Sequence, residues 1–436
     1  MTDALFPLPT ATVARAGDDL GERCLYWFLV LTPLWWLLGL LAPLATLGTM
    51  ALFLRRPPRD PAALACALAW MLAGAAQAAS GLVAWVSNGE ALAELPFRVA
   101  SMPVTGWVLL GAAIGVGAEY RLASARIVRA ASVYGSFMLL FGLGAMIVAV
   151  ATGRHDLEMT SPVAMLVPLT PDDMRQQFAI RFLITDDAFL DEGGMPRLIL
   201  FFPWSTGLAM AGMAAAAVAL SDRSAFWRAN GVAGGIFGLL FSLSRAALVA
   251  AALAYALIGF ARLGSRLRLA IAAAAAAALN LAIASGIDFV ALAQKIMHAF
   301  NEAREGSSQA REWIYEASWR GFLDAPILGH GGIGPIYNSG VPVRLGSHST
   351  FYGTLYTGGV VTFGAIALAY VTTLVVLASR LRGGGRFATV AFGLWVAFGM
   401  LCYGEAMYSL VPSCLALFVW IGAGMSCRPS RADDAA

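Results

Sequence analysis

The chain has 436 residues, 59% of them hydrophobic and only 13% charged, with a mean hydropathy of +0.73 and a formal net charge of +3. An ordinary soluble domain carries about 25% charged residues, so a water-soluble globule of this length is excluded for want of polar surface. So small a net charge gives no ground for a nucleic-acid partner. The five cysteines, Cys24, Cys66, Cys402, Cys414 and Cys427, form no CxxC pair and no Cys/His cluster. Most lie in or beside apolar runs and read as small core residues rather than metal ligands or disulfides.

Residues 1–23 carry Asp3, Arg15, Asp18, Asp19, Glu22 and Arg23. They lack the basic, apolar, then small-residue order of a signal peptide, so the first span is expected to be a retained anchor. Apolar runs follow at 24–38, 40–54, 62–87, 99–118, 130–152, 198–220, 229–243, 246–260, 269–287, 351–378, 387–403 and 410–425. The longer ones reach the roughly 20 residues that cross a bilayer as a helix. They are continuous rather than alternating, which selects helices over a barrel. The expected fold is an all-α integral membrane protein with about 12 transmembrane helices. The stretch 24–54 is open between one long tilted span and a hairpin broken near Gly39 and Pro43.

Arginines set the orientation; Lys295 is the single lysine. Arg55, Arg56 and Arg59 share one short loop, and Arg121, Arg126 and Arg129 another. Arg223 and Arg228, then Arg262, Arg266 and Arg268, then Arg380, Arg382 and Arg386 fill three more. The positive-inside rule makes these loops cytoplasmic. Parity then requires 229–243 and 246–260 to cross separately, with the turn between them on the outer side, lining a cavity. It also places two long loops outside. The first, 153–197, holds four arginines against eight acids, and the second is 288–350; together they contain all four histidines, His155, His298, His330 and His348. The expected organisation is a cytoplasmic segment 1–23, transmembrane helices over 24–287 interrupted by the loop 153–197, a large outer loop 288–350, helices over 351–425, and a cytoplasmic tail 426–436.

Three places carry candidate chemistry. Arg245, in Ser244-Arg245, sits within an apolar stretch, and an arginine at membrane depth needs a partner or water. Arg311 falls on a helix expected to be capped by Ser307-Ser308-Gln309, to run through Trp313, Tyr315, Trp319 and Phe322, and to stop at Asp324-Ala325-Pro326. Arg320 on the same helix is a weaker candidate. His348, in Gly346-Ser347-His348-Ser349-Thr350, stands where the chain re-enters the membrane and can serve as a general base. His330 is its rival, but lies among glycines in the turn 329–334 and reads as part of the loop's structure. That turn follows no strand and opens no helix, so it is not a nucleotide loop. Asp172-Asp173 and Asp186-Asp187 read as solvated loop acids rather than a divalent-ion site, and no metal or cofactor is expected.

Four features in order resemble the O-antigen ligase and O-antigen polymerase family of bacterial envelope glycosyltransferases. They are Ser244-Arg245-Ala246 between two apolar helices, Arg311-Glu312-Trp313-Ile314 on the loop helix, Asp324-Ala325-Pro326-Ile327-Leu328-Gly329-His330-Gly331, and Ser347-His348-Ser349 leading into a span with Gly358-Gly359. The pattern covers residues 229–378. The resemblance implies a GT-C-like helical fold in the bacterial inner membrane, with an active site facing the periplasm. It implies a donor glycan on undecaprenyl diphosphate and a glycan or lipid A-core acceptor, in lipopolysaccharide or exopolysaccharide biosynthesis. A chain-length regulator or a flippase would be the protein partners. Guanidinium groups hold phosphate oxygens bidentately, so Arg245 and Arg311 are expected to hold the diphosphate and His348 to deprotonate the acceptor. The lipid tail is expected among spans near 229–260 and 351–378. Ser349 replaces the asparagine that often follows this histidine in the family, which favours polymerisation of repeat units over ligation to lipid A-core. The alternative is a non-enzymatic transporter or flippase of lipid-linked oligosaccharide. It would predict repeat-related halves and charges deep in several spans; neither is visible in the sequence.

Overall fold

A computed structural model describes residues 19–90, 92, 95–96, 98–99, 102–120, 125–154, 156–166, 179–184, 197–302, 305–338, 342–382 and 385–426. Each of the twelve apolar runs contains helix. Helices α1 (Asp19–Val30) and α2 (Thr32–Leu38) end at Gly39, whose left-handed φ of 76° breaks the chain before α3 (Leu41–Arg55). The stretch 24–54 is therefore not one continuous helix. Next come α4 (Pro61–Asn88), a π-helical turn Pro103–Val108 running into α5 (Leu109–Glu119), and α6 (Ala125–Thr152). A short helix α7 (Pro162–Leu166) precedes α8 (Ser205–Ala219), α9 (Ala225–Phe241), α10 (Arg245–Arg262) and α11 (Ser265–Ala284). Then follow α12 (Phe289–Glu302), α13 (Glu305–Asp324), α14 (Thr350–Leu381), α15 (Arg386–Gly404), α16 (Met407–Leu410) and α17 (Leu415–Met425). Six of these, α4, α6, α10, α11, α14 and α15, are long and apolar enough to cross a membrane; α3, the unit Pro103–Glu119, α8 and α17 are apolar but shorter.

Local signals account for the helix starts. Asp60 caps α4 by accepting from Ala62 N at 3.0 Å, with Pro61 in the first turn. Ser224, Ser244 and Ser349 cap α9, α10 and α14 in the same way. Ser307 lies inside the loop helix α13 (Glu305–Asp324) rather than capping it, and the helix ends at Asp324 as the following Ala-Pro predicts. The two long loops also fold into short strands that the hydropathy pattern did not reveal. Antiparallel β1 (Leu157–Thr160), β2 (Ala179–Ile184) and β3 (Arg197–Leu198) form one small sheet, and β4 (Ile336–Asn338) with β5 (Pro342–Arg344) a hairpin. His155 and the pairs Asp172-Asp173 and Asp186-Asp187 lie outside the described residues.

The arginine-rich loops gather at one end of the bundle. Arg56 Nε meets Glu119 Oε1 at 2.7 Å, Arg129 grips Asp222 bidentately at 2.8 and 2.9 Å, and Arg380 pairs with Asp60. These contacts join the short arginine-bearing loops to one another.

The glycine-rich turn has a structural task that explains its composition. In a continuous helix the N–H groups of Val360 and Val361 would donate to Tyr356 and Thr357. Gly359 breaks α14 with φ 61° and ψ −167°, a conformation open essentially to glycine alone. Val360 and Val361 instead donate to Pro326 O at 2.8 Å and Ile327 O at 3.3 Å. The abandoned carbonyls of Tyr356 and Thr357 accept from His330 N at 2.8 Å and Gly331 N at 2.7 Å. The loop thus plugs the break and satisfies backbone that lipid would leave bare. A Cβ at position 359 would lie 2.2 Å from Ile327 O, whereas one at Gly364 meets nothing within 4 Å. Gly359→Ala is expected to destabilise the fold by at least about 1–3 kcal/mol, read as an earlier thermal transition in detergent, with Gly364→Ala as the neutral control. Equal transitions for the two variants would refute the plug.

Candidate functional site

The end of the bundle opposite the arginine loops is where α8, α10 and α14 begin and where α15 ends. The Ser244-Arg245 turn, Arg311 and His348 fall there, and an acid overlooked in the sequence links the first two. Glu405, just past α15, is 4% exposed. Its Oε1 accepts from Thr206 Oγ1 at 2.8 Å and from Arg311 Nη2 at 3.2 Å. Thr206 Oγ1 also lies 3.1 Å from Ser244 Oγ, the cap of α10. Because the threonine proton goes to the carboxylate, the Ser244 hydroxyl donates to Thr206. One polar chain therefore runs from the Ser244-Arg245 turn through Thr206 and Glu405 to Arg311. Arg245 is half-buried at the first position of α10, directly after this cap.

His348 stands one step away. Tyr315, one turn beyond Arg311 on α13, donates its hydroxyl to His348 O at 3.3 Å and stacks on Tyr352 with ring centroids 4.8 Å apart. Tyr403 packs edge-on against both, 6.0 Å from each centroid. Next to His348, Ser349 caps α14, accepting from Tyr352 N at 3.2 Å and donating to Tyr403 O at 2.7 Å. Asparagine and serine cap helices equally well, so either residue can start this helix. The Ser347 hydroxyl lies 2.5 Å from Arg344 O and 2.6 Å from His348 Nδ1. Its single proton goes to the carbonyl, so Nδ1 carries the ring proton and Nε2 keeps the basic lone pair. His348 retains an accessible face, yet the protein around its other side desolvates the ring. That desolvation, and then the Arg311 guanidinium, hold its pKa down to about 4. Desolvation likewise pushes the Tyr315 hydroxyl upward.

Backbone strain marks the same place. Among the described residues, positive φ outside glycine occurs at Leu200, Leu243 and His348, with φ 48°, 51° and 61°. Leu243 immediately precedes the Ser244 cap and His348 is itself the candidate base. Such conformations persist only where surrounding structure holds them, and they cluster at functional sites.

The remaining candidates take other roles. His330 Nε2 donates to Gly321 O at 2.8 Å, and its ring stacks on Tyr356 at 4.5 Å, inside the plug described above. Arg320 pairs with Glu316 one turn away on an exposed face of α13. Below the tyrosines, a largely apolar cavity of about 190 Å³ lies between α14 and α15, lined among others by Thr350, Phe351, Phe363, Tyr370, Cys402 and Tyr403. Glu405 escaped the sequence reading because one acid in a short loop between two apolar runs resembles ordinary solvated loop residues. Its position in a loop of the outer parity was the available signal.

A helical membrane protein with a polar, strained cluster at one end of its bundle is the class that fold and site define. Residues 231–367 match the family described as O-antigen ligase. The matched stretch contains Ser244-Arg245, Arg311, His330 and His348 but not Thr206 or Glu405. No curated protein matches the sequence.

Proposed function

We propose that this protein transfers a glycan from undecaprenyl diphosphate to a hydroxyl of a glycan acceptor at the outer face of the bacterial inner membrane. The observation that carries the reading is that Tyr315, one turn beyond Arg311 on the loop helix, bonds to His348 O at 3.3 Å and so draws both candidates to the bundle end remote from the arginine loops. The acceptor hydroxyl attacks the anomeric carbon as His348 Nε2 takes its proton. The bond from that carbon to the diphosphate oxygen breaks, and its electron pair leaves with the lipid diphosphate. Arg311 and Arg245 hold the diphosphate and stabilise the charge that develops on it. No metal is required for this charge balance. The cavity between α14 and α15 is smaller than the about 300–1,000 Å³ that enclose a drug-sized ligand, so it suits one stretch of an isoprenoid chain beneath the reacting head group.

The topology behind this reading has twelve crossings, with 1–23 and 426–436 cytoplasmic and 153–197 and 288–350 periplasmic. In a cysteine-free background, a cysteine replacing Glu316 should react with an impermeant thiol reagent in intact spheroplasts. One replacing Gly264 should react only after lysis. The reverse pattern would put the site on the wrong side of the membrane.

The activity itself is tested by giving purified protein a lipid-diphosphate-linked repeat unit and separating the products. A ladder of lengthening glycans with release of lipid diphosphate identifies polymerisation. A single transfer to lipid A-core identifies ligation. Release of no lipid diphosphate with either acceptor, while donor crosses a vesicle bilayer, would replace transfer by transport.

A further inference from the structure

Glu405 has no part in the chemistry above, yet it is the most deeply buried acid at the site. A carboxylate at 4% exposure needs partners to offset its lost hydration. It has them from separate elements: Thr206 at the start of α8 and Arg311 on the loop helix α13. Its own carbonyl accepts from Thr350 Oγ1 at 2.7 Å at the start of α14, and Thr350 Oγ1 accepts in turn from Met407 N at 2.9 Å. The backbone of the neighbouring Gly404 also lies against Arg311: a Cβ there would sit 3.5 Å from Nη1.

Such a half-buried pair is a poor device for stability, because desolvating the carboxylate offsets much of the attraction. It is an effective device for orientation. Arg311 enters on a loop helix, and its side chain is still 35% exposed. A flexible arginine in that position would sample many rotamers and lose the alignment that bidentate phosphate binding requires. The carboxylate holds one end of the guanidinium through Nη2, while part of the side chain stays exposed. Through Thr206 and the Ser244 cap, the same carboxylate also fixes the turn that launches Arg245.

We propose that Glu405 is a positioning residue, which sets the Arg311 guanidinium for the donor diphosphate and links it in register with the Ser244-Arg245 turn. This rests on the reading of Arg311 as a diphosphate ligand, so the test separates the two ideas. Transfer kinetics are measured with a lipid-diphosphate donor for wild type, Glu405→Gln, Arg311→Gln and the double variant, each shown to be monodisperse and thermally stable. Glu405→Gln keeps the shape and a hydrogen-bond acceptor but removes the charge. The expected result is a loss of about 10- to 100-fold in kcat/KM for the donor, an unchanged KM for the acceptor, and a double variant no worse than Arg311→Gln alone. Full activity of Arg311→Gln would overturn the diphosphate reading and this inference with it. An impaired Arg311→Gln beside a wild-type Glu405→Gln, or losses that multiply in the double variant, would overturn positioning alone. Should Glu405→Gln fail to fold, Thr206→Val removes the carboxylate's other partner while leaving the charges. It should still lower donor kcat/KM without moving acceptor KM, and unchanged donor kinetics there would also refute positioning.

Discussion

Replacing His348 with alanine is expected to lower glycan transfer by about 10²–10⁴-fold, the range a positioned base contributes, while protein yield and donor binding stay near wild type. The side chain lies at the mouth of the site, and its Nδ1 is fixed on Ser347, so truncation removes a proton acceptor rather than core packing. His330→Ala should behave differently. It strips the hydrogen bond to Gly321 and the stacking on Tyr356, so its cost falls mainly on stability. If His348→Ala turned over at the wild-type rate, general-base catalysis by this residue would be wrong.

The acid side of the pH profile gives a finer reading of the same residue. A base must be neutral to accept a proton, so activity is lost as pH falls through its pKa. In the free protein desolvation and Arg311 place that pKa at about 4, and kcat/KM should decline only near that pH. A bound diphosphate sets anionic charge beside Arg311 and offsets its repulsion, so the limb in kcat belongs at higher pH, closer to the range where a general base is most effective. Arg311→Gln removes the repulsion and should move the kcat/KM limb upward. A limb that stayed in place or moved down in that variant would show that Arg311 does not act electrostatically on the base.

The second large effect is expected at the arginines. Arg245→Ala and Arg311→Ala should each lower transfer by about 10²–10³-fold, the cost of removing one donor from a site of developing negative charge. Lysine in either place keeps the positive charge but loses the planar fork, so Arg245→Lys and Arg311→Lys should recover only part of the loss. Donor kcat/KM is the quantity to measure, with protein level fixed. Arg311→Lys also shortens the contact with Glu405 to a single point charge and should be the more damaged of the two. Full recovery by lysine at both positions would reduce the arginines to a general electrostatic field. Wild-type activity of Arg245→Ala would remove Arg245 from the site and leave the diphosphate to Arg311.

The sequence alone determined the features that depend on composition and on neighbours along the chain. Run lengths specify membrane helices because hydrocarbon tolerates no unpaired backbone. Arginine-bearing short loops specify which ends share a face, and the ion pairs of Arg56, Arg129 and Arg380 join those ends. Asp60 before Pro61, and Ser224, Ser244 and Ser349 before their helices, announce the helix starts locally. Ser244-Arg245, Arg311 and His348 were legible as candidates because charge or a titratable ring beside apolar sequence is costly without a use. What those residues touch was decided only by tertiary structure, since Glu405 meets Arg311 across 94 residues of chain and Thr206 across 199. The break at Gly359 was equally hidden. It becomes tolerable only because the distant turn 326–331 supplies the hydrogen bonds that the helix gives up. The same plug separates the two histidines: in sequence both lie near glycines in one loop, but folding commits the His330 ring to Gly321 and leaves the His348 Nε2 lone pair uncommitted to Ser347, which holds Nδ1.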